Sequence, residues 1–201
     1  MEERIKFHVG LEVRKDSISV AVAEPGRAPG RLVGKVTLVG SITGWRFEPV
    51  VGALQALRGV AAITAIGLVA EIGDLARFSH PRKLMGYLGL VPSEHSSGER
   101  TSRGSLTKTG NAHARRLLTE AAWNYRFKAR ISREALARQE ALSESIRTTA
   151  WKAQLRLTQR FAALRERGVQ VNKACVAVAR ELAGFIWAIG LQAQQEKAQR
   201  T

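Results

Sequence analysis

The 201-residue chain is predicted to be a mainly α-helical protein with a small β-hairpin ahead of its helices, and three observations predict it. No proline follows Pro92, so the last 109 residues lack the strongest helix breaker. Within them, apolar residues recur at steps of three and four, as in Ile146, Ala150, Ala153, Leu157, Phe161 and Leu164. Runs of β-branched residues flanking a short polar turn, the mark of strands, fall in the first forty residues. The expected division is a hairpin piece at residues 1–44 and a helical domain at 45–201.

The first piece reads as Ile5 to Val13, a charged bend at Arg14-Lys15-Asp16, and Ser17 to Ala23. Gly26, Pro29 and Gly30 break the pattern, and Arg31 to Val39 can supply a third strand. From Glu48 to Gly73 the chain reads helix, tight turn, helix, with Leu57, Val60, Ile63, Ile66 and Val69 or Ala70 three to four apart. Gly59 in that turn is similar to the turn glycine of a helix-hairpin-helix, which points backbone amides at a phosphate. The position where a second turn glycine is usual holds Ala61, so a plain helical hairpin of the core competes evenly.

Pro81 suits the first position of a short helix, and Asn111 suits the N-cap of the next. That later helix carries Ala114, Leu117, Leu118, Ala121, Ala122 and Tyr125 on one face, with Arg115 and Arg116 elsewhere. Gly168 ends a long helix, and Val171 to Gln192 forms another. Trp123, Trp151 and Trp187 stand in apolar phase and are expected in the core.

Charge bounds the class of partner. The formal net charge is +15, and residues 100–167 hold sixteen basic against five acidic side chains, or +11 of it. Such concentration fits a polyanion-binding face. Lys152, Arg156 and Arg160 recur at i, i+4 and i+8, an arrangement that repels itself on an isolated helix and calls for an anionic partner. The lone Cys175 excludes an internal disulfide and a cysteine zinc cluster, His80 and His95 lack partners at metal spacing, and no run of about 18 apolar residues predicts a membrane span. The expected location is the cytoplasm.

Between Ser93 and Asn111, serines, threonines and glycines alternate with Arg100, Arg103 and Lys108, and Leu106 is the one large apolar side chain. No helical or strand period fits, so the expectation is an ordered or semi-ordered loop. Hydroxyls, glycine turns and guanidinium groups together suit the holding of phosphates or the activation of a serine. A solvated surface linker has the same composition.

The spaced motifs Leu84-Met85-Gly86-Tyr87-Leu88-Gly89-Leu90-Val91-Pro92, Ser96-Ser97-Gly98, Arg103-Gly104, Thr107-Lys108-Thr109-Gly110-Asn111 and Ala114-Arg115-Arg116-Leu117-Leu118 resemble the C-terminal transposase domain of the IS110 family of insertion sequences. The resemblance covers about Leu54 to the C-terminus. It implies a recombinase of mixed RuvC-like and serine type, DNA as partner, in some members a guide (bridge) RNA, and assembly as a homo-oligomer or with a full-length transposase.

It further implies Ser97 as the nucleophile that attacks a phosphodiester, with Ser96 and Ser102 near enough to leave the assignment open. Glu12 stands where the family places the first of four carboxylates that hold magnesium, and is one methylene longer than the usual Asp. The other three carboxylates and several strands have no counterpart between Gly40 and Trp45, so this chain alone is not expected to bind the metal. Three readings follow: a recombinase component inactive alone, a non-catalytic DNA- or RNA-binding module, and an inactive remnant. The nucleic-acid-binding candidates are Gly59, Arg100, Arg103, Lys108, Arg115, Arg116, Lys152, Arg156 and Arg160.

Overall fold

A computed structural model describes residues 8–13, 17–23, 31–37, 46–97 and 100–200. Two compact units divide the chain, Met1–Glu48 and Pro49–Thr201. The first holds an antiparallel three-stranded sheet of β1 (His8–Val13), β2 (Ser17–Ala23) and β3 (Arg31–Thr37) in the order β1-β2-β3. β2 shifts register between Val20 and Ala21 against β3. The bend Arg14–Asp16 and the stretch Gly40–Trp45 lie outside the described residues.

The second unit is a helical assembly, and the protein is mainly α. Its helices are α1 (Glu48–Leu54), α2 (Ala62–Ile72), α3 (Pro81–Tyr87), α4 (Ala112–Ala122), α5 (Arg133–Gln139), α6 (Glu144–Glu166) and α7 (Val171–Arg200), with short 3-10 turns at Leu75–Arg77 and Trp123–Arg126. Local chemistry sets their starts. His80 Nδ1 accepts from the Arg82 amide ahead of Pro81, and the side chains of Asn111, Ser132 and Ser143 each accept from the amide three residues on. Gly168, at φ +75°, follows the end of α6, where the Val169 amide reaches back to the Leu164 carbonyl.

α7 is the axis of the core. Ala174, Cys175, Val178, Ala179, Leu182, Ala183 and Ile186 are all buried at alternating steps of one and three, a stripe packed against α3, α4 and α6. Gly190 carries no side chain because an added Cβ would lie 2.1 Å from Leu75 Cδ1, so the 3-10 turn at Leu75 nests directly on the helix. By length and composition Val171–Gln199 is apolar enough to cross a membrane, which departs from the sequence expectation. Half of that apolar window is buried inside the unit.

The face read on α4 is buried throughout, from Ala114 to Tyr125, and so are Ile146, Ala150, Ala153, Leu157 and Phe161 on α6. Each fully buried leucine there is worth about 1.5–3 kcal/mol. Two apolar expectations fail. Ile63 is 39% exposed and Trp151 is 38% exposed, since α2 and α6 each present more apolar surface than the neighbouring helices cover. Trp187 is half-buried with its indole Nε1 donating to the Phe78 carbonyl at 2.9 Å. Cys175 donates to the Thr119 carbonyl, and burial pushes its thiol up to about 11.

Candidate nucleic-acid interface

The stretch expected as a loop is a β-hairpin. β4 (Pro92–Ser97) pairs antiparallel with β5 (Arg100–Leu106), placing Ser97 opposite Arg100, Ser96 opposite Thr101, His95 opposite Ser102 and Glu94 opposite Arg103. The tip, Gly98-Glu99, lies outside the described residues. Ladder hydrogen bonds rather than apolar alternation make these strands, so periodicity does not find them. Gly104 carries no side chain where an added Cβ would lie 2.3 Å from Ser93 Oγ, so the strands approach closely there.

The base of the hairpin is knitted to the helices on both sides. The Thr107, Lys108 and Asn111 amides donate to the carbonyls of Val91, Gly89 and Tyr87. Gly89, Gly110 and Lys108 all have left-handed backbones, at φ +64°, +104° and +54°. An added Cβ on Gly110 would stand 2.1 Å from the Tyr87 carbonyl oxygen. Glu71, at the end of α2, closes the knot: its carboxylate accepts from Asn111 Nδ2 at 2.6 Å and meets His113 Nδ1 at 2.7 Å, while Tyr87 Oη donates to its carbonyl. The Asn111 amide and the His113 ring hold the Glu71 carboxyl below the usual carboxylate range.

The knot gives a prediction. Gly110→Ala combines a backbone conformation that side chains rarely adopt with overlap on a main-chain oxygen, two effects of about 1–3 kcal/mol each. Gly168→Ala keeps a left-handed backbone but meets nothing within 4 Å. Thermal melts should show Gly110→Ala lowering Tm by about 10 °C and Gly168→Ala by only a few degrees. Equal losses in the two variants contradict the packing described.

The candidate residues do not converge on one point. Ser97 and Arg100 share a register position, and Lys108 and Arg115 both flank Gly89. Gly59 sits elsewhere, at φ +80° in the α1–α2 turn with its Cβ position 2.4 Å from the Ala121 carbonyl oxygen. Because Arg115 and Ala121 stand six residues apart on α4, the two places are separated by about 9 Å along the helix axis. Close packing therefore accounts for the glycine at 59. In β1, Glu12 lies opposite Ser19.

Several cations are already engaged within the fold. Arg115 Nη1 donates to the Leu88 carbonyl at 2.9 Å. Arg156 and Arg160 share the Glu181 carboxylate of α7, at 3.0 and 3.1 Å, which halves the charge they offer outward. Arg116 and Lys152 are exposed, Arg116 with only a loose 3.7 Å pairing to Glu120. Arg58 and the run Arg126 to Arg130 add cations that periodicity does not single out, although basic residues around Phe127 are a visible sequence signal. Among the described residues no three His, Cys, Asp or Glu side chains group as metal ligands.

The helical unit with its β4–β5 hairpin is the part of the chain that known proteins share. Residues 51–137 match the transposase IS116/IS110/IS902 family, to which the chain belongs through this helical unit. The chain is 54% identical over 151 residues to "Putative transposase y4qE" of Sinorhizobium fredii, an alignment spanning 75% of this chain and 39% of that protein. With the transposase for insertion sequence element IS1111A of Coxiella burnetii it shares 32% identity over 136 residues, 68% of this chain and 31% of the relative. A third relative, the transposase for IS1533 of Leptospira borgpetersenii, is 30% identical over 125 residues, 61% of this chain and 36% of that protein. The chain thus spans between about a third and two fifths of the length of these curated relatives.

Proposed function

We propose that the helical unit is the part of an insertion-sequence transposase that holds DNA and presents a serine to it. The observation that carries this reading is that the family match at 51–137 contains the β4–β5 hairpin and the glycine knot that fixes it. In the reaction, Ser97 Oγ forms a bond to phosphorus, one phosphorus–sugar oxygen bond breaks, and the displaced oxygen leaves as a hydroxyl with the proton the serine gave up. Positive charge on Arg100, Arg103 and Lys108 offsets the negative charge of the equatorial oxygens. The carboxylates for magnesium come from a second transposase chain, because only Glu12 stands at a matching position here. Without that partner the unit binds DNA and does not cut it.

Exposed cations supply the binding. In Arg116→Glu with Lys152→Glu, duplex affinity is expected to fall and the slope of log affinity against log salt to become shallower by about two, one per lost phosphate contact. Both positions are exposed, so stability should move by no more than about 0.5 kcal/mol per site. Fluorescence anisotropy across a salt series, with circular dichroism on the same samples, checks both. An unchanged slope removes these two residues from the interface.

A further inference from the structure

A cleft of about 210 Å³ opens where the α1–α2 turn meets the segment leading into α5. Three arginines line it: Arg58 from the turn, Arg130 from the segment and Arg138 from α5. Among the described residues, none of the three has a carboxylate within ion-pair distance. Two buried glutamines build the walls. Gln154 on α6 donates to the Arg130 carbonyl, and Gln139 on α5 donates to the Ala56 carbonyl at 3.0 Å. The Arg58 guanidinium is fixed as well, since Nη1 donates to the carbonyls of Lys128 and Phe127 at 2.8 and 3.4 Å. Partial burial, with Arg130 beside it, pushes its pKa down.

The rim is apolar in a way that suits bases. Ile131, 44% exposed, lines the cleft itself, and Phe127, 51% exposed, lines an adjoining hollow that shares Arg58, Asn124 and Arg130 with it. Arg126 lies 4.5 Å from the centroid of the Phe127 ring and Arg58 lies 5.9 Å from it. An exposed ring with cations beside it, next to a cleft the size of one phosphate and sugar, is the equipment that holds an unpaired nucleotide. A continuous duplex does not match it, because paired bases hide their faces in the stack.

We propose that this cleft binds single-stranded nucleic acid, seating a backbone phosphate between Arg58, Arg130 and Arg138 and laying an unpaired base against the Phe127 rim. The inference deepens the nucleic-acid reading above and rests on it. It assigns to the helical unit a place where strands opened at a junction are held apart from the duplex-binding cations.

Binding of the full chain to labelled dT12, to rU12 and to a blunt 20-base-pair duplex tests this, with Phe127→Ala and Arg130→Glu as variants and circular dichroism confirming the fold. Phe127 is half exposed, so its truncation leaves the core intact. Phe127→Ala is expected to weaken single-strand binding roughly tenfold, the scale of one base–aromatic stack, while duplex affinity stays within about twofold. Arg130→Glu should weaken single-strand binding more than duplex binding. A stronger effect on rU12 than on dT12 names RNA as the occupant, and the reverse names DNA. Wild-type single-strand affinity in Phe127→Ala, or equal losses for single strand and duplex, overturns the cleft while leaving duplex binding standing. Binding of neither form by the wild type overturns both readings.

Discussion

Duplex DNA binding by this chain is expected to weaken about a thousandfold between 50 and 200 mM salt. The expectation follows from counting. Each phosphate neutralised releases a condensed counterion, and about six to ten contacts give losses of that order or greater. Residues 100–167 hold sixteen Lys and Arg. The structure removes some from the count, since Arg115 is turned into the fold and Arg156 with Arg160 sits on Glu181. Lys108, Arg116, Arg133, Arg147, Lys152 and Arg167 remain exposed, which is enough for the lower figure. Equilibrium titration at four salt concentrations measures the slope, and a flat response means that the charge serves something other than nucleic acid.

The helical core was legible because burial repeats with the turn of a helix. Ala114, Leu117, Leu118 and Ala121 on α4 can be placed on one face with no knowledge of what covers them. The hairpin was not legible. Ser93 to Leu106 has neither apolar alternation nor a strong turn pair, and it is a hairpin through strand pairing and the knot at Gly89, Lys108 and Gly110. Those glycines could be read as motif positions, yet the carbonyls they approach, Thr109 and Tyr87, are fixed only by the folded chain.

Charge was legible in amount and not in availability. A stripe at 152, 156 and 160 is plain in the sequence, while the carboxylate that meets two of its members comes from Glu181, on another helix. Arg115 likewise finds its acceptor 27 residues earlier. The cleft at Arg130 needs Arg58, some seventy residues upstream, so the basic run around Phe127 shows half of the site and the fold supplies the rest. Local patterns carry helices and caps well. Long-range partners decide which cations face outward.

The serine is the point on which the functional account turns. Ser97→Ala is expected to remove all covalent capture of DNA; in the strand register Ser97 pairs with Arg100, Ser96 with Thr101 and Ser102 with His95. The chemistry needs a partner chain for the metal carboxylates, so the assay mixes this chain with a full-length relative whose own nucleophilic serine is replaced by alanine. The decisive measurement is denaturing electrophoresis of that mixture with labelled DNA, followed by mass mapping of the modified peptide. A protein–DNA adduct carried on Ser97, lost in Ser97→Ala and kept in Ser96→Ala and Ser102→Ala, is the predicted result; no adduct, or one mapped to another residue, contradicts the account.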